Sequence, residues 1–157
     1  MNEKDYKLSP EYRKLLTKDL YQRIGTGTLV QDMRCLGTKI EMRPNPIWMV
    51  DTLMEEVRLF ADEPWQPIYS VRPYLRPMSS MTEEEKKEFC EKFECAEVNP
   101  AYFGYSEGGT LEDYISPISF NLIDLVIDWL IEHKFDFRGL ILMGLALEAK
   151  EGMYGKE

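Results

Sequence analysis

Asp124, Asp128 and Glu132 stand four residues apart towards the C-terminal end of the chain. On an α-helix that spacing sets them in one row. Carboxylate oxygens are what a hard divalent cation takes as ligands, and a Mg²⁺ ion held there could serve a metal-dependent hydrolase. Such a centre needs convergent ligands from a second element, for which Asp136 and Glu112 are conceivable. The competing reading is a wetted seam on a covered helix. Ile123, Leu125, Val126, Ile127, Trp129, Leu130 and Ile131 fill most of the remaining arc and favour it.

Other reactive side chains are sparse. His133 is the single histidine. Acid–base catalysis would need a nucleophile beside it, and spacing offers none, whereas a histidine at a helix C-terminus gains from the macrodipole. Cys35, Cys90 and Cys95 leave one thiol over in any pairing. Cys90 and Cys95 are also spaced too widely for a zinc knuckle, and one histidine leaves zinc short of ligands. Cys35, beside a turn, is the better candidate for an exposed thiol. No Gly-rich phosphate loop, zinc-protease helix or nucleophile elbow occurs. These readings predict no catalytic residue, no cofactor and no metal. Aromatic residues make up 12% of the chain. The core accounts for most of them, but the run Asn99–Tyr105, with Tyr102, Phe103 and Tyr105, is the expected contact surface. Together with Asp124, Asp128 and Glu132 it forms the candidate interaction site.

The elements that must position these residues follow from punctuation and period. Ser9-Pro10-Glu11 opens a helix that Gly25 ends, with Tyr12, Leu15, Leu16 and Leu20 on one face. Arg13, Lys14 and Lys18 lie on the other side and read as a solvated basic stripe. Residues 28–33 and 38–43 read as strands, Pro44-Asn45-Pro46 as a turn, and residues 47–50 as a short strand. Residues 52–61 lean towards a helix capped by Asp51, with Leu53, Val57 and Phe60 inward. Residues 67–71 return to strand, and Pro73 and Pro77 are expected to end the extended run. Thr82 with Glu85 reads as a capping box for a surface helix to about Glu94, packing through Phe89, Cys90 and Phe93. Residues 96–105 read as extended. Ser116-Pro117 opens a last helix to about His133, short turns follow at 139–145, and the tail from Lys150 is expected to be loose.

Length and charge bound the class. At 157 residues the chain fits one domain, or two lobes at 1–76 and 77–157. The first stretch holds 12 Lys/Arg against 11 Asp/Glu, a balance of +1, and the second 7 against 17, a balance of −10. An acidic half repels phosphate backbones, so direct nucleic-acid binding is not expected. No run approaches the length of a membrane span, and no signal peptide is recognisable, which predicts a cytoplasmic protein.

The segment Tyr74-Leu75-Arg76-Pro77-Met78-Ser79-Ser80-Met81-Thr82-Glu83-Glu84-Glu85 resembles a junction found in small uncharacterised proteins of gut-bacterial phages and prophages. Their closing segment is also similar to Asp128-Trp129-Leu130, His133, Phe135–Ile141 and Gly144–Glu148 here. The resemblance covers the junction and the last thirty or so residues; residues 26–67 match in outline. It implies a mobile-element origin and a host-cytoplasm setting, and brings no functional residues with it.

The combined expectation is an α+β fold. A small, mostly antiparallel sheet, open or barrel-like, carries the N-terminal helix and two later helices. The expected role is that of a non-catalytic accessory protein that binds a host or phage protein. The alternatives are an acidic nucleic-acid mimic and a metal-dependent hydrolase, and homo-oligomerisation is left open.

Overall fold

The computed structural model describes residues 8–35, 44–93 and 123–155. The expected strand at 38–43, the extended run at 96–105 and the Ser116-Pro117 cap lie outside the described residues. So do Tyr102, Phe103 and Tyr105. The fold is α+β: among the described residues are three α-helices and two antiparallel-rich sheets. Neither sheet closes into a barrel. The strands are two to five residues long, too short for the tilted, staggered ladder that closure requires. No helix among the described residues is long and apolar enough to cross a membrane. The chain divides into two compact units, Met1–Tyr74 with Leu145–Glu157, and Leu75–Gly144.

The first unit is built on helix α1, Pro10–Gln22. The Ser9 hydroxyl accepts the Tyr12 N–H at 3.3 Å, Pro10 sits in the first turn, and Gly25 follows the helix at φ 77°. Leu16 and Leu20 are fully buried and pack with Val30, Ile47, Val57, Leu59, Ile68 and Val71. Each fully buried leucine contributes about 1.5–3 kcal/mol. One sheet comprises β1 (Leu29–Asp32), β2 (Asn45–Pro46), β6 (Val71–Leu75) and β7 (Leu147–Glu148), in the order β2-β1-β6-β7. The other comprises β3 (Met49–Asp51), β4 (Glu56–Arg58) and β5 (Gln66–Pro67), in that order.

The structure departs from the sequence expectation at several points. Asn45-Pro46 is a strand paired antiparallel to β1, not a turn. Residues 52–61 are no helix: they hold a turn and strand β4. The extended run passes through Pro73, which lies opposite Val30, and continues to Leu75. A proline removes a single ladder donor, and the pairing of Val71 and Arg72 with β1 holds the strand in place. The tail is anchored. The Tyr154 hydroxyl accepts the Leu29 N–H at 2.9 Å and donates to the Tyr74 carbonyl at 2.6 Å.

Charged groups are also used inside this unit. The side chains of Asp19 and Arg23 are wholly buried and meet through two contacts, 2.8 and 3.3 Å, one helical turn apart. Asp32 accepts from Arg34, and Gln66 links Arg34 to Ser70. Buried polar groups are tolerated when bonded in this way.

The second unit holds α2, Glu83–Phe93, and α3, Ile123–Glu132. Its start is the expected capping box. Thr82 Oγ1 accepts the Glu85 N–H at 3.2 Å, and Glu85 Oε2 accepts the Thr82 N–H at 2.9 Å. Phe89 and Phe93 bury against Val126, Trp129, Leu130 and Phe135. The rings of Phe89 and Trp129 meet edge-on at 5.3 Å, a favoured aromatic geometry.

Candidate interaction surface

Of the residues singled out in the sequence, Asp124, Asp128 and Glu132 are all exposed on α3, while Val126, Trp129 and Leu130 on its inner side are buried. The row is therefore the wetted seam of a packed helix. Among the described residues no three histidine, cysteine or carboxylate side chains gather in a way that could hold a metal ion. Asp136 turns elsewhere: its carboxylate accepts the backbone N–H groups of Leu140 and Ile141 at 2.7 and 2.9 Å and ties down the turn that follows.

His133 is placed by packing. Its ring stacks on Trp129 with centroids 3.9 Å apart, and Nδ1 lies 2.8 Å from the Trp129 carbonyl. A carbonyl only accepts, so Nδ1 carries a proton in this arrangement. Trp129 Nε1 donates to Glu88 at 3.0 Å. Nearby, Arg76 grips Glu85 through both terminal nitrogens at 2.8 and 3.0 Å, donates to the carbonyls of His133 and Ser80, and lies over the Phe135 ring at 4.3 Å. Its backbone is held as well, for the Arg76 N–H donates to the Lys134 carbonyl and the Asp136 N–H donates to the Arg76 carbonyl, both at 2.8 Å. Burial pushes the Glu85 carboxyl up. The Arg76 hydrogen bond and charge, the Thr82 N–H and the His133 charge together outweigh burial and hold it below the ordinary carboxylate value. The junction segment thus meets the start of the closing segment around Arg76, as a packing device.

Large apolar side chains stand exposed singly at Leu125 and Leu142, and several gather on the β3–β4 hairpin. Met49, Val50 and Asp51 pair with Arg58, Val57 and Glu56. Asp51 Oδ1 accepts the N–H groups of both Leu53 and Met54, at 3.0 and 2.9 Å. Aspartate favours this local bond in turns as well as at helix starts, so the same residue that suggests a helix cap instead closes a turn. Glu55 completes the turn in the left-handed region at φ 54°. Its carboxylate is held by Arg13 of α1 at 2.8 Å, and its carbonyl accepts the Ile68 N–H at 2.8 Å.

The tip so fixed presents two large apolar side chains to solvent, Leu53 at 88% and Met54 at 64% exposure. Trp48, Met49 and Phe60 are also exposed at the hairpin's base. Arg58 lies over the rings of Trp65 and Trp48, at 4.8 and 6.0 Å. Its Nε is buried without a hydrogen-bond partner, and the ring faces provide the attraction instead. Arg and Trp are among the residue types that dominate binding energy at protein interfaces. A helical reading of residues 52–61 hides this patch, because it turns Leu53 inward. The usable signal is the alternation Glu56-Val57-Arg58-Leu59, polar then apolar twice over, which is the period of a strand. Comparison with protein-family models, curated proteins and solved structures finds no match.

Proposed function

We propose that the chain is a non-catalytic accessory protein that binds another protein through the β3–β4 hairpin. The observation that carries this reading is the pair Leu53 and Met54, held out in water by a turn that Asp51 and Glu55 fix in place. A fixed loop loses little conformational freedom on binding, so its apolar area converts to affinity with less entropic loss than a mobile one. The resemblance of the junction and closing segments to phage and prophage proteins supports a host or phage protein as the partner and a mobile element as the source. The exposed acids of α3 add solubility in this reading rather than chemistry.

Affinity capture from bacterial lysate, run in parallel with the chain and with its Leu53→Ser/Met54→Ser variant, tests the proposal. Both side chains are exposed, so the variant is expected to keep its circular dichroism spectrum and thermal midpoint. Proteins retained by the unaltered chain should be lost by the variant. Retention of the same set by both, or of nothing above background by either, contradicts the reading.

A further inference from the structure

A groove of about 210 Å³ runs beside the hairpin, lined by Lys14, Thr17, Lys18, Tyr21, Thr52 and Glu55. Thr17 in this lining is buried and donates to the Arg13 carbonyl at 2.6 Å. The groove's one acid is already engaged, since Arg13 holds the Glu55 carboxylate at 2.8 Å. Lys14 and Lys18 stand one turn apart on α1, both exposed, and neither has an ion-pair partner among the described residues. The chain as a whole carries −9, yet this groove keeps two uncompensated ammonium groups next to the exposed tip at Leu53 and Met54.

We infer that the groove takes an acidic segment of a partner protein, one that sets a carboxylate against Lys14 and Lys18 and an aliphatic or aromatic side chain against Leu53 and Met54. This rests on the hairpin reading above and adds the partner's chemistry to it. Charge complementarity selects the acid, and the adjoining tip selects the apolar neighbour. A nucleic acid fits less well. Its phosphates would suit the lysines, but the groove offers its bases a single ring, Tyr21, beside the aliphatic tip, while the rings of Trp48 and Trp65 face Arg58.

Selection from a random peptide library on the full chain, followed by fluorescence anisotropy with the enriched peptides, tests the inference. The enriched sequences should interleave Asp or Glu with Leu, Ile, Met or Phe. Their affinity should fall by about tenfold in Lys14→Glu/Lys18→Glu, persist in Lys14→Arg/Lys18→Arg, and weaken as salt is added. Neutral or basic enriched peptides, or binding indifferent to charge reversal, would overturn it. If binding then still depends on Leu53 and Met54, the hairpin reading survives alone. Binding indifferent to both pairs, or a library that returns no binder, removes both. A single-stranded oligonucleotide that displaces the peptides and itself loses affinity in the charge-reversed variant would assign the groove to nucleic acid instead.

Discussion

The Tyr154 hydroxyl joins three stretches of chain, donating to the Tyr74 carbonyl and accepting the Leu29 N–H. Burial raises its pKa from the ordinary phenol value to about 12, against smaller opposing effects of the Leu29 N–H and Arg23. Above pH of about 10 the unfolded chain gives up this proton while the folded chain keeps it. The folded state then binds more protons than the unfolded one, so stability falls as pH rises from about 10 towards 12. Tyr154→Phe is expected to lower stability at neutral pH by about 1–3 kcal/mol, because Leu29 loses its acceptor and Tyr74 its donor. It should also flatten the alkaline decline, and urea unfolding at several pH values checks both outcomes. None of this is legible in the sequence. Tyr154 stands there in a short polar tail after Lys150, and local pattern says nothing of a hydroxyl whose partners are so distant along the chain.

At the scale of elements, helix starts are readable because their signals are local. Ser9-Pro10 and Thr82 with Glu85 set caps within three residues, and both form as expected. The β3–β4 hairpin is harder to read, because Asp51 bonds the N–H groups that follow it in much the same way whether a helix or a turn comes next. Glu85 does more than cap. It also receives both terminal nitrogens of Arg76, so Glu85→Gln should lower stability at neutral pH by about 1–3 kcal/mol. Its carboxyl is held below the ordinary value, so its contribution is present above the unfolded carboxyl's pKa and is lost as pH falls through the folded one. The substitution should therefore reduce the loss of stability on acidification, as followed by circular dichroism during acid titration. An unchanged acid limb would mean that the Arg76–Glu85 contact contributes nothing in solution.

For the whole molecule, the division into two units is not a simple cut along the chain. Residues Leu145–Glu157 belong with the first unit, bringing β7 to its sheet and Tyr154 to its strands. Ending the chain after Lys150 should therefore lower the thermal midpoint by several degrees, as expected for the loss of the Tyr154 hydrogen bonds in a chain of this size. Differential scanning calorimetry checks this, and an unchanged midpoint would show the tail to be dispensable.

By itself the sequence determined the α+β class, the two cap-defined helix starts and the wet seam of Asp124, Asp128 and Glu132. Each depends on neighbours within a few residues, where backbone geometry and side-chain period act directly. Tertiary structure decided the outward hairpin at Leu53 and Met54, the buried Asp19–Arg23 pair, the Arg76 packing centre and the return of the tail. In each of these, the same side chain could be wet or buried, paired or exposed, until distant stretches of chain arrived to exclude water or leave it in place.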